Sequence, residues 1–180
     1  MKFKTTLILL GIVIVLFVFV YAFELRKPKE EKKSKNIETA LNIPKESLNK
    51  MEIIYTTPKN TVLSLSKNDN GQWQSQNSSG FKPTPKAIHD AVTNALERYI
   101  FDTVKDPGGL NEYGLAKSRV TVTLYFEDGT HKKIVIGNEV PIGNYVYIKE
   151  ESMSDIYMVP ASIVEDFTKL IQEPENEKKQ

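Results

Sequence analysis

The sequence predicts an α+β domain, an antiparallel sheet of short strands with two main helices packed on it, preceded by one N-terminal transmembrane helix. Three observations predict it. Leu7 to Phe23 (LILLGIVIVLFVFVYAF) is an unbroken run of 17 apolar residues at the head of an otherwise polar chain. Beyond it, short segments alternate apolar and polar residues between turn signals. Two longer segments instead repeat apolar residues at spacings of three and four, the period of a helix face. Strands in runs, interrupted by isolated helices, point to antiparallel pairing with the helices on one face.

At about 1.5 Å per residue the apolar run covers about 26 Å, close to the roughly 30 Å of a bilayer core. Residues 1–25 therefore read as a single-pass anchor that contacts the bilayer through residues 7–23. A cleaved signal peptide is the alternative, with Lys2 and Lys4 as its basic start and Val20-Tyr21-Ala22 as a cleavage-like tripeptide. The run is longer than a signal core, and Glu24, Arg26, Lys27 and Lys29 follow it as a stop-transfer flank does. Counted literally, the cations after the span (Arg26, Lys27, Lys29, Lys32, Lys33, Lys35) outnumber those before it and favour a cytoplasmic domain. Glu30 and Glu31 dilute that cluster, and long domains cross largely regardless of charge. The expected location is the cell membrane, with the globular domain extracytoplasmic.

Residues 26–43 are expected to form a charged tether, densest from Arg26 to Asn36 (RKPKEEKKSKN), where nothing apolar offsets the entropy of ordering. A stalk is one role for it, and contact with anionic headgroups is another. Residues 44–172 form the α+β domain, and 173–180 (EPENEKKQ) a disordered tail.

Within the domain, Pro44 to Ser47 reads as a short helical turn leading into a strand at Met51 to Thr56. Thr61 to Lys67 (TVLSLSK) alternates, and Asn68-Asp69-Asn70-Gly71 turns it toward a third strand around Trp73. The first main helix starts after Thr84, whose hydroxyl suits an N-cap, with Pro85 at the first helical position, where its missing N–H costs nothing. Ile88, Ala91, Val92, Ala95, Leu96 and Tyr99 form its buried stripe. Phe101 to Val104 leads to the turn signal Asp106-Pro107-Gly108-Gly109 and a compact Leu110 to Leu115 segment. Arg119 to Phe126 and His131 to Ile136 make a hairpin through Glu127-Asp128-Gly129-Thr130. Tyr145 to Lys149 and Ile156 to Val159 are further strands. The second main helix opens near Pro160 and carries Ile163, Val164, Phe167, Leu170 and Ile171 inward.

The order of the Met51-Glu52-Ile53 strand, the Trp73 strand, the capped helix, Glu112-Tyr113-Gly114-Leu115, the Asp128-Gly129 turn, Ile136-Gly137 and Tyr145-Val146-Tyr147 resembles the bacterial family named domain of unknown function 4340. The likeness spans roughly residues 45 to 165. It implies an anchored, extracytoplasmic domain, often encoded beside ABC transporter components of the gliding-motility type. No catalytic residues come with it. Many relatives are longer, with more than one such unit, where this chain has room for one.

Composition and motifs narrow the chemistry. Lys and Arg (24) nearly balance Asp and Glu (23), so no field favours nucleic acid as a partner. With no cysteine there is no thiolate metal site, catalytic thiol or disulfide framework. The two histidines, His89 and His131, form no ligand spacing, and Gly108-Gly109 lacks the phosphate-loop Lys. Ser78-Ser79-Gly80 is not a nucleophile elbow. Asp102 and Asp106 are a conceivable carboxylate pair for acid–base work, but they fall at a strand end and a turn, where Asp serves turn chemistry. The reading is of a protein that is not an enzyme and has no cofactor or metal.

Flat amphipathic side chains on a sheet suit a binding face, and Trp73, Tyr145, Tyr147 and Tyr157 are the candidates, with core packing as their other use. An exposed strand edge is a second candidate, blunted on one side by Lys132 and Lys133. The function expected is a non-catalytic accessory or interaction module of an envelope or ABC transporter complex, whose partner is a membrane protein such as a transporter subunit. The alternative is an envelope domain binding peptide, glycan or small ligand through the aromatic face, with a hydrolase third.

Overall fold

A computed structural model describes residues 10–19, 21, 35–56, 60–76, 81 and 83–171. The chain divides into two units, Met1–Lys33 and Ser34–Gln180. In the first, residues 10–19 form a helix, α1, built wholly from apolar residues and glycine. Among the described residues no helix is long and apolar enough to cross a membrane. The rest of the expected 7–23 span, the first half of the tether and the 173–180 tail lie outside the described residues.

The second unit carries the α+β architecture expected. Its strands are β1 (Leu48–Tyr55), β2 (Thr61–Lys67), β3 (Trp73–Ser75), β4 (Asp102–Val104), β5 (Val120–Phe126), β6 (His131–Glu139), β7 (Tyr145–Glu150) and β8 (Ile156–Pro160). They form one sheet in the order β3-β2-β1-β5-β6-β7-β8-β4. Every neighbouring pair is antiparallel. The helices are α2 (Ile37–Ala40), α3 (Pro85–Glu97) and α4 (Ser162–Thr168).

Local chemistry places these elements as the residue pattern requires. Thr84 caps α3 by accepting the Ala87 N–H, and Ile88, Ala91, Val92, Ala95 and Leu96 are its buried stripe. Asn68 Oδ1 accepts the Asn70 and Gln72 N–H groups at 3.0 and 2.9 Å, while Gly71 supplies φ +73, so the β2–β3 turn closes on its own side chain. Asp128 does the same for β5–β6, accepting from Thr130 N–H at 2.9 Å and its hydroxyl at 2.6 Å. That hydroxyl bond, more than any other cause, holds the Asp128 carboxyl below the usual range. Alternation along β5 buries Val120, Val122, Leu124 and Phe126 on the side of the sheet that the helices cover.

Three features depart from the sequence reading. The packed domain begins upstream of 44, because Ile37, Leu41 and Ile43 are 1%, 0% and 5% exposed within the core. α3 ends at Glu97, and Arg98 turns extended with ψ 131, so Tyr99 leaves the stripe and is 43% exposed. Finally, the sheet face away from the helices is covered in part. After β4 forms the far edge, the chain returns to central β5 and lays Tyr113 and Leu115 against β6. Leu115 and Ile156 are buried there, outside the main core cluster.

Candidate functional site

The site grows from the end of α3. Once Arg98 is extended, its carbonyl accepts the Ile37 N–H at 2.9 Å, and the Ile100 N–H donates to the Lys35 carbonyl at 2.8 Å. Asn36 and Tyr99 form an antiparallel bridge between these bonds. The Phe101 N–H then donates to the Met158 carbonyl at 2.8 Å and starts β4 at the sheet edge. This path holds Tyr99 and Phe101 rigidly while leaving them 43% and 52% exposed.

Tyr145, at the start of β7, joins the two. Its ring stacks on Phe101 with centroids 4.3 Å apart at 19°. Its hydroxyl stands 3.4 Å from that of Tyr99, and this hydrogen bond, followed by desolvation, raises the Tyr145 pKa above its ordinary value. The hairpin tip before it turns at Gly143 (φ +92), which lies close enough to the Tyr145 ring that a Cβ would stand 2.9 Å from it. One residue earlier, Ile142 is 87% exposed. The result is a fixed aromatic cluster with an apolar residue projecting beside it. It offers apolar area with phenolic hydroxyls and no nucleophile–base pair.

The four residues singled out from the sequence do not share a face. Trp73 is 4% exposed in the core, because α3 packs over β3, and the Lys67 ammonium lies 5.6 Å from its ring centroid. Tyr157 is half-buried against the core, donates to Met153 Sδ at 3.8 Å, and has its pKa raised chiefly by burial. Tyr147 meets Tyr113 edge to face at 4.9 Å, so it serves the outward-face packing. Only Tyr145 belongs to the exposed cluster. Tyr99 and Phe101 were missed as surface residues because Tyr99 falls in register with the α3 stripe. Ile142, lodged between Pro141 and Gly143, carried a readable signal: an apolar residue between turn formers sits at a tip.

A concavity of about 400 Å³ lies between the β5–β6 and β7–β8 turns, lined by His131, Lys132, Lys133, Glu150, Glu151 and Ser152. Its charges are internally matched. Glu151 pairs with Lys133 at 2.8 Å, which holds its carboxyl low, and the buried Glu150 carboxylate accepts from the Ser152 N–H at 3.2 Å and from its hydroxyl. Asp102 Oδ1 accepts the Thr103 N–H at 2.8 Å, so that carboxylate serves the backbone, and Asp106 takes φ 47 in its turn. Among the described residues no group of three His, Asp or Glu side chains is placed to hold a metal ion.

The family described as Domain of unknown function (DUF4340) matches residues 86–175, from the first turn of α3 through α4. The match takes in the Tyr113-Gly114-Leu115 and Ile136-Gly137 pieces and leaves out the β1–β3 meander. No curated protein and no solved structure matches the chain.

Proposed function

Because this chain belongs to the domain of unknown function 4340 family, whose description assigns no activity, we propose a role read from its own physics: a single-pass, membrane-anchored, extracytoplasmic interaction module, without catalytic activity, that serves an envelope or ABC transporter complex. The observation that carries this reading is α1. Its large side chains, Leu10 through Phe19, are 52 to 74% exposed on every side of the helix. A helix apolar all round is stable only where something apolar surrounds it, and for a 17-residue run that surrounding is lipid. Confinement to a bilayer raises the effective concentration of any neighbour held in the same membrane, so a small transient interface suffices for partnership.

The test is affinity capture of the detergent-solubilised full chain beside a version whose residues 7–23 are replaced by an unrelated span. Recovery of the same membrane protein, such as a transporter subunit, with both supports the reading. Recovery of a tightly bound glycan or peptide with no protein partner from either would transfer the function to ligand binding. Release of the native chain from membranes by alkaline carbonate would remove the anchor.

A further inference from the structure

We infer that the cluster of Tyr99, Phe101 and Tyr145, together with the tip residue Ile142, rests in the headgroup zone of the bilayer and lays the domain against the membrane. This inference rests on the anchoring reading above. Its first support is where the chain arrives. At the start of the domain the Lys35 carbonyl accepts the Ile100 N–H and Asn36 pairs with Tyr99 in a β-bridge, so the cluster lies at the root of the tether. Twelve residues, 24 to 35, separate the apolar run from that root. At full extension a stretch of that length reaches about 40 Å. The cluster is thus the part of the sheet edge at which the chain from the apolar run enters the domain.

Chemistry is the second support. Tyrosine favours the membrane–water interface, where its ring meets acyl chains and its hydroxyl meets headgroups. Tyr99 and Tyr145 present both parts, and Phe101 and Ile142, 52% and 87% exposed, add purely apolar area. The third support is charge. Arg26, Lys27, Lys29, Lys32, Lys33 and Lys35, set against Glu24, Glu30 and Glu31, leave the stretch 24–35 with a net charge of +3, which an anionic leaflet attracts.

The absence of cysteine allows a direct test in the full chain. Ile142→Cys and, separately, His89→Cys on the exposed polar face of α3 are labelled with a polarity-sensitive fluorophore and reconstituted into vesicles of phosphatidylcholine and phosphatidylglycerol. The expected result is a blue-shifted label at 142, quenched severalfold more than the label at 89 by lipids carrying a headgroup-level nitroxide. Adding Phe101→Glu should abolish that difference while the chain still floats with the vesicles. If the chain does not float after alkaline carbonate, the anchoring reading fails and this inference with it. If it floats but the label at 142 reports water, the headgroup contact alone is overturned. A blue shift without lipid quenching would assign the cluster to a second copy of the chain and equally overturn it.

Discussion

Gly137 shows how single residues fix the outward face of the sheet. A Cβ at this position would stand 2.1 Å from the Tyr113 carbonyl oxygen and 3.1 Å from the Leu115 side chain, and the Asn138 N–H donates to that same carbonyl at 2.8 Å. Gly114 answers it, with φ +69 and a would-be Cβ 2.3 Å from Asn138 Oδ1. The Tyr-Gly-Leu and Ile-Gly pieces are therefore two halves of one backbone contact. Gly137→Ala is expected to lower stability by about 1 to 3 kcal/mol, because backbone must move. Gly108→Ala, with nothing within 4 Å, should be near neutral in the same urea titrations. On the other face, the Tyr55 hydroxyl is buried and donates to the Phe167 carbonyl at 2.6 Å. Burial pushes its pKa well above the ordinary 10.0. A group raised in the folded state contributes stability that is complete below its unfolded pKa and is lost as pH rises through the folded one. Stability should accordingly fall as pH climbs above about 10. Tyr55→Phe should cost about 1 to 3 kcal/mol at neutral pH, by orphaning the carbonyl, and make that alkaline fall shallower.

Helices α3 and α4 are joined through one ion pair. Arg98 Nε and Nη2 both donate to Asp166 Oδ2, at 3.1 and 2.7 Å. The partners are unequal, since the Asp166 side chain is 6% exposed and that of Arg98 29%. Arg98→Ala leaves a buried carboxylate without its cation and should cost about 3 to 5 kcal/mol. Asp166→Ala should cost less, about 1 to 3 kcal/mol, because the guanidinium turns to water. Thermal or urea unfolding of the two variants and their double mutant checks the order, and a larger loss for Asp166→Ala would contradict it. Both residues looked ordinary in the sequence. By helical period Arg98 falls outside the apolar stripe, and nothing local marks Asp166 as buried, because the partner is 68 residues away.

At the scale of the whole unit, the start of the domain contributes to its stability. Ile37, Leu41 and Ile43 are at most 5% exposed. Each buried aliphatic side chain is worth about 1.5 to 3 kcal/mol, against a total stability of about 5 to 15 kcal/mol. A fragment of residues 35–171 is expected to unfold cooperatively, whereas one beginning at Pro44 should melt far lower or be unfolded at room temperature. Circular dichroism melts of the two fragments decide it, and equal melting temperatures would show that α2 adds nothing.

What the sequence by itself determined is what neighbouring residues decide among themselves. The period of two in Thr61 to Lys67 and Val120 to Phe126 set those strands, the 3.6 period and the Thr84 cap set α3, and side-chain closure by Asn68 and Asp128 set the turns. These are short-range terms and leave a local pattern. Which apolar residues stay outside was decided only by the tertiary structure. Trp73 was removed from any binding face when α3 settled over β3, and Tyr99 and Phe101 were brought out beside Tyr145 because β4 crosses to the far edge of the sheet. Sheet order and layer coverage depend on contacts between residues far apart in the chain, and a residue's spacing from its neighbours carries no record of which distant surface will cover it.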